Sequence, residues 1–551
     1  MQLEETRNGQ SLTEYRKRIS KAESVVRGKV VPTQDAVSLF YSIIQPGDRV
    51  LIEGNNQKQA KFLAETLCSL SPTKISALYL MMSSIVLDEH LDVFEKGIAH
   101  TIDFSFSGPQ AKRLYTLVKN GRVKIGSIHT YNELFSRYFT DRRPNVSLIV
   151  AESADCEGNL YTGANTEETQ LICEATRFSK GIVVAQVEKV VKSIPRVDIP
   201  SDQVDFIIPT GEATSIEALF TRDPAKITSE HILMAMMTIK GIYAEYQVKS
   251  LNHGIGYATA AVELILPNFI KMLGMENKIC SHWLLNPHPT LIPFIEAGYA
   301  KTIHSFGSEP GMDRYIAANK DVFFTSHDGV LKSNRPFCQM AGHYAIDCFV
   351  GATLQIDRFG NSSTAINGRI AGFGGAPNLG ANPSGRRHSS PAWQKAGFES
   401  HCAKKDKIVR GRKIVVQMTP TFGGKPKRPV FVDELDAVQM YKEGIFDAPP
   451  VMIYSDDITH IVTEIGIAYI CRCHTEKEKE AAIRAIAGDT PLGQREIRSE
   501  TNKLRAKKII AFPEDLGINV KDATRDLLAA KDFAELRQLS GNLYKPPQYS
   551  R

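Results

Sequence analysis

The sequence predicts an α/β protein made of two related open sheets that face each other, with a charged N-terminal arm and a helical C-terminal tail. Three observations carry this. Short apolar runs of strand length alternate with longer amphipathic runs over most of the chain, the pattern of sheets with parallel character covered by helices. A polar, turn-rich break falls near residues 211–230, around Gly211-Glu212-Ala213-Thr214 and Thr221-Arg222-Asp223-Pro224. Finally, Glu157-Gly158-Asn159-Leu160, ahead of an apolar run at Ile182, is echoed by Phe359-Gly360-Asn361-Ser362, ahead of one at Ile414.

The elements follow in order. Residues 1–30 are highly charged and lack a sustained apolar face, which suits a helix or arm on the surface or against a partner. A first domain spans 31–225. It opens with a helix through Ala36, Val37, Leu39, Phe40, Ile43 and Ile44 that stops at Gln45-Pro46-Gly47-Asp48, followed by a buried strand at 49–54. Helices are expected at 59–70 and 110–119, and strands at 75–80, 123–125, 146–150 and 181–187.

A second domain spans 226–475. Residues 251–259 head an amphipathic helical run, 413–418 read as a strand, and 458–470 read as one apolar strand interrupted by Glu464. Residues 476–551 form a helical C-terminal extension, with helices at 476–487 and 522–539.

Composition excludes several classes. A hydrophobic fraction of 42% and a charged fraction of 23% are those of a soluble globular protein. A net charge of +6 over 551 residues makes no case for nucleic acid. No apolar run reaches the roughly eighteen residues of a membrane span, and the opening Met1-Gln2-Leu3-Glu4-Glu5 lacks a signal pattern, so a cytoplasmic protein is expected. The nine cysteines lie mostly inside apolar runs and read as reduced core residues. Cys471-Arg472-Cys473-His474 has the wrong spacing for a tetrahedral zinc site, and no metal is expected.

The chemistry is expected in the glycine-rich stretch at 360–388, at the end of a strand, where ligands of open sheets gather. Gly374-Gly375 could turn successive amide N–H groups toward one point, a nest for an oxyanion. Asn361, Asn367, Asn378 and Asn382 alternate with the glycines, and Arg386-Arg387-His388 close the stretch. A glutamate inside an apolar run, as Glu464 is, must be paired or stand at a strand end near a ligand. Two nucleotide motifs fail. Gly254-Ile255-Gly256-Tyr257-Ala258-Thr259 has threonine where glycine or alanine is needed and no convincing strand before it, and Gly423-Gly424-Lys425-Pro426 lacks P-loop spacing.

Five motifs stand in the order found in coenzyme A transferases. They are His253-Gly254-Ile255-Gly256, Phe359-Gly360-Asn361-Ser362, Gly372-Phe373-Gly374-Gly375-Ala376-Pro377-Asn378, the strand at 413–417 and Val462-Thr463-Glu464-Ile465-Gly466-Ile467-Ala468. Together with Gly28-Lys29-Val30-Val31-Pro32-Thr33 and the stretch at 45–54, they make the chain resemble the malonate decarboxylase alpha subunit family over nearly its whole length. The resemblance implies two coenzyme A transferase-like domains and an acyl-carrier-protein transferase that moves the carrier's thiol from acetyl to malonate. It implies no cofactor on this chain. The thioester belongs to a dephospho-coenzyme A-type group on a partner acyl carrier protein, and decarboxylase subunits complete the complex.

The resemblance also implies roles. The amides of Gly374 and Gly375 form the oxyanion hole, Asn361 bonds an acyl or carboxylate oxygen, and Glu464 orients its neighbours or the pantetheine arm. Lys413 or Arg412, with Arg386, holds the anionic substrate, Gly254 and Gly256 complete its site, and His282 is a candidate there as ligand or as acid or base. One departure stands out. Thioester-forming coenzyme A transferases place a nucleophilic glutamate shortly beyond the His-Gly-Ile-Gly-like segment, where Lys278-Ile279-Cys280-Ser281-His282-Trp283-Leu284 has no acid. This implies a free mixed anhydride, as in the citrate lyase alpha subunit. The rival expectations are a citrate lyase-type or ordinary acyl-CoA transferase, and a noncatalytic scaffold that docks the carrier.

Overall fold

The computed structural model describes residues 11–54, 58–213, 222–383, 390–401 and 409–547. It divides into two units: Met1–Leu219 with Thr325–Pro336 and Gly368–Gly375, and Phe220–Phe324 with Phe337–Asn367 and Ala376–Arg551.

The first unit is built on an eight-stranded sheet. Its strands are β1 (Arg49–Ile52), β2 (Leu78–Ser84), β3 (Ala99–Phe106), β4 (Lys124–Ile128), β5 (Val146–Asp155), β6 (Leu160–Tyr161), β7 (Ile182–Val191) and β8 (Phe206–Pro209). The order is β4-β3-β2-β1-β5-β7-β8, parallel throughout, with the short β6 antiparallel to β5. Val50, Leu51 and Ile52 of β1 are buried in sequence, as a central parallel strand covered on both faces requires. Helix α1 (Tyr131–Phe139) starts at a capping box between Thr130 and Glu133 and packs Leu134, Phe135 and Tyr138 into the core beside Ile172 and Cys173 of α2 (Thr169–Phe178).

Three strands of this sheet, β3, β6 and β8, lie outside the sequence expectation. Asp103 disguises β3: its carboxylate is fully buried, taken by His129 at 3.0 Å, Arg142 at 2.9 Å and Tyr79 at 2.7 Å. The expected N-terminal arm contains a helix, Leu12–Glu23, capped by Ser11 and pinned by Arg18, whose guanidinium meets Asp48 at 2.5 Å and the Ile43 carbonyl at 2.9 Å.

The second unit carries a second eight-stranded sheet. Helix α3 (Ser229–Thr238) precedes β9 (Ser250–His253), a turn at 254–256 and helix α4 (Tyr257–Met272). The strand missing from the sequence reading of this segment is therefore present. There follow β10 (His282–Leu284), β11 (Thr302–His304), helix α5 (Arg335–Tyr344), β12 (Cys348–Gly351), β13 (Ile414–Met418), β14 (His460–Val462), β15 (Ile467–Tyr469) and β16 (Ile510–Ala511). The order is β11-β10-β9-β12-β13-β14-β15-β16, parallel as far as β14 and antiparallel beyond.

Three expectations change here. The apolar run at 458–470 is a hairpin, and Glu464 stands in its turn, which Thr463 N–H closes onto the Gly466 carbonyl at 3.0 Å. The C-terminal extension is no separate appendage, because β16 completes the sheet edge; within 522–539 only Phe533–Leu539 is an α-helix. The glycine-rich loop does not lie wholly in the second domain. Gly368–Gly375 belongs to the first unit, where Phe373 and Gly374 donate their N–H groups to the Ser105 carbonyl at 2.6 and 2.8 Å. Gly372 has φ +75°, and a Cβ there would run into that same carbonyl.

The sequence echo is a structural repeat. Asp155 Oδ1 accepts the N–H groups of Glu157 and Asn159 at 3.0 and 2.9 Å, and Asp357 Oδ1 accepts those of Phe359 and Asn361 at 2.9 Å each. The left-handed residue of each turn is glycine: Gly158 at φ +87° and Gly360 at φ +95°.

Candidate functional site

At the carboxyl end of β9 the chain leaves the second sheet through Gly254-Ile255-Gly256 and enters α4. Glycine is required at 254, since a Cβ would press to 3.2 Å from Gly351 Cα and 3.3 Å from the Val350 carbonyl on the neighbouring strand. Gly256 is the N-cap and offers no side chain to the first turn. Among the described residues the N–H groups of Tyr257 and Ala258 have no acceptor, so the positive end of a long helix is left open. A small open cleft lies there, with room for about one water, lined by Arg222, the 254–256 turn, Thr259, Glu263, His288 and Thr290. The Arg222 guanidinium sits 6.0 Å from the centroid of the Tyr257 ring.

Beneath the cleft lies a buried polar relay. Glu263, fully buried, takes His253 Nδ1 at 2.9 Å and His288 Nδ1 at 3.2 Å on one oxygen, and the Thr290 hydroxyl on the other. An ionised carboxylate only accepts, so both imidazoles donate through Nδ1. His253 Nε2 is then left to accept the Tyr243 hydroxyl at 2.6 Å. Burial alone would raise the Glu263 carboxyl, but the charge of His288 and the hydrogen bonds from both histidines win and hold it well below the usual carboxylate range.

A second candidate is the turn at 372–375 in the first unit. Gly374 has φ +58°, and its N–H is spent on Ser105. Of the pair expected to form an oxyanion hole, Gly375 keeps an N–H with no acceptor among the described residues.

The other expected residues are placed elsewhere. Asn361 uses its Nδ2 on Asp357 at 3.0 Å and its Oδ1 on the Ser455 N–H at 3.0 Å, so its amide locks the repeated turn. Glu464 accepts the Thr421 N–H at 3.0 Å and the Thr421 hydroxyl. Lys413, fully buried, donates to the carbonyls of Gly342 and His343 in the last turn of α5, at 3.1 and 3.0 Å. Arg412 donates to the Asp456 carbonyl at 2.5 Å and to Ser400 at 3.1 Å. His282 is exposed and bonds Thr302 at 2.9 Å. Arg412, Lys413 and His282 stand where β13 and β10 begin, at the edge opposite the cleft, and their use as substrate ligands does not fit this placement. Arg386 lies outside the described residues.

Sequence reasoning missed Arg222, Glu263, His288 and Thr290. One signal was available: Glu263 is the single charge in the apolar run from Ala258 to Leu266 and falls one helical turn after Thr259. Among the described residues no group of three or more histidine, cysteine or acidic side chains is set to hold a metal ion, and no helix is long and apolar enough to cross a membrane.

The model of a protein family described as "Malonate decarboxylase, alpha subunit, transporter" matches residues 8–551. The chain belongs to the malonate decarboxylase alpha subunit family. It is 52% identical over 521 residues to the acetyl-S-ACP:malonate ACP transferase of Malonomonas rubra, covering 94% of each chain. A Pseudomonas malonate decarboxylase hetero-tetramer, solved in complex with malonate, contains a chain of 50% identity that superposes with a TM-score of 0.94 and covers 98% of both chains. The putative alpha subunit of citrate lyase from Streptococcus mutans, at 14% identity and a TM-score of 0.58 over 95% of this chain and 88% of its own, shares the fold. The open parallel sheets of this chain are thus also the fold of that putative citrate lyase subunit.

Proposed function

We propose that this chain is the acyl-carrier-protein transferase of a malonate decarboxylase, converting acetyl-S-carrier and malonate to malonyl-S-carrier and acetate. The observation that carries this is the 52% identity to an acetyl-S-ACP:malonate ACP transferase over 94% of both chains. The carrier is a separate subunit whose thiol belongs to a dephospho-coenzyme A-type group, and decarboxylase subunits consume the malonyl thioester.

The transfer runs through a free mixed anhydride. A malonate carboxylate oxygen attacks the acetyl carbonyl, the C–S bond breaks, and the thiolate leaves with the electron pair. The thiolate then attacks the malonyl carbonyl of the anhydride and expels acetate, with no net proton change. Each step passes through a tetrahedral oxyanion that preorganised N–H donors stabilise, and Gly375 offers one. Malonate carries two negative charges, and an arginine fork matches the planar geometry of a carboxylate. Glu263 supports the route without an enzyme thioester: it is fully buried and both its oxygens are engaged, so it is no nucleophile.

The test mixes the purified chain with acetylated carrier and isotopically labelled malonate, without other subunits, and weighs the carrier. Labelled malonyl-S-carrier is the expected product. A carrier that is retained in a pull-down but keeps its acetyl group would overturn the proposal in favour of a docking scaffold.

A further inference from the structure

Near the carboxyl edge of the first sheet, five charged side chains are shut away from solvent: Glu53, Lys58, Glu167, Glu168 and Arg335 are each 2% exposed or less. Lys58 Nζ lies 3.1 Å from Glu53, whose other oxygen accepts the Val150 N–H at 2.8 Å. Arg335 donates through both Nη2 and Nε to one oxygen of Glu167, at 2.5 and 3.2 Å, and its Nε also lies 3.0 Å from Glu168 as an ion pair. Three carboxylates therefore face two cations, and like charges packed in a dry site resist full ionisation. Burial, opposed by Arg335 and aided by Glu167, pushes the Glu168 carboxyl up to about 7. The groups facing Glu168 are Ser83 on β2, Arg335, Glu167, Glu53 and, on α1, Tyr131 and Tyr138.

The cluster reaches the glycine turn through one ring. The Arg335 guanidinium stacks 4.6 Å from the centroid of Tyr131. The same ring backs Gly374, where a Cβ would meet Tyr131 Cε2 and Oη at 3.7 Å. We infer that Arg335 is a positioning residue for the turn at 372–375, acting through Tyr131, and that the Glu167–Glu168 pair sets how firmly Arg335 is held. Lysine could keep the charge but not the two donors on Glu167 together with a planar group over the Tyr131 ring. The consequence for catalysis rests on the reading that this turn serves acyl transfer.

The experiment follows hydrogen exchange at the amides of Phe373 and Gly374 in the full chain, alongside kcat and KM. Arg335→Lys is expected to speed exchange of these amides about tenfold, as a local loosening of the turn, and to lower kcat by a similar factor with KM for malonate little changed. Tyr131→Leu removes the bridge without touching the ions and is expected to loosen the turn equally, which keeps the question open to an answer if Arg335→Lys fails to fold. Glu168→Gln is expected to flatten the dependence of turn exchange on pH between 6 and 8, after correction for intrinsic rates. Unchanged exchange in folded Arg335→Lys or Tyr131→Leu overturns the inference. A loosened turn with unchanged kcat upholds the positioning role and removes the turn from the chemistry.

Discussion

Asn361 donates its side-chain N–H to Asp357 Oδ2 across 3.0 Å, and Asn159 makes the same bond to Asp155 at 2.9 Å in the other unit. Two turns with one hydrogen-bond plan, each followed by a short strand, are what a duplicated unit leaves behind. The pairing commits both ends of the Asn361 amide to this turn. Asn361→Ala is predicted to cost about 1–3 kcal/mol of stability, because the Ser455 N–H and the Asp357 carboxylate lose a partner, while kcat per folded molecule holds. Urea unfolding and turnover measured on one preparation check this, and Asn159→Ala should behave alike.

Lys413 is a clip on a helix end. Lys413→Met keeps most of the volume and removes the ammonium from the carbonyls of Gly342 and His343. The expected result is a loss of about 1–3 kcal/mol with KM for malonate unchanged. A rise in KM at full stability would return Lys413 to the substrate.

Arg222 is predicted to act on binding. Arg222→Gln should raise KM for malonate about 10- to 100-fold, the worth of one charge-assisted fork to a carboxylate, and weaken the dependence of KM on ionic strength. Steady-state kinetics at two salt concentrations measure both.

Glu263 sets an acid limit. Its folded pKa is depressed below the ordinary glutamate value of 4.5, so the stability it contributes is present above that pH and drains away as pH falls through the lower, folded value. Glu263→Gln should therefore unfold more easily at pH 7, by about 3–5 kcal/mol for a broken buried ionic contact, and lose less on acidification. Calorimetry from pH 3 to 7 compares the two slopes, and parallel slopes would contradict the assignment.

Much of the fold is legible in the sequence because its inner strands are continuous apolar runs: β1, the first half of β5, most of β7 and β13 can be read directly. Elements were lost where burial was bought with pairing or symmetry. Asp103 makes β3 look polar, and the hairpin of β14 and β15 hides inside one apolar run because both its strands are buried. At the site, Gly254 announces a close backbone approach, whereas Arg222 comes from a turn-rich break far from it in sequence. The misplaced candidates were avoidable: Arg412 and Lys413 precede their strand, and chain direction alone puts them at the amino edge, away from the ligand side of a parallel sheet.

The central claim is direct transfer through an anhydride without an acyl-enzyme. One turnover with malonate carrying oxygen-18 in its carboxylates, and enzyme in excess over acetylated carrier, tests it, with the acetate and carrier weighed by mass spectrometry. The account predicts malonyl-S-carrier and acetate holding one heavy oxygen, handed over when the anhydride splits. Unlabelled acetate in that first turnover would mean that its new oxygen came from a carboxylate of the protein, and the mechanism drawn from this site would be contradicted.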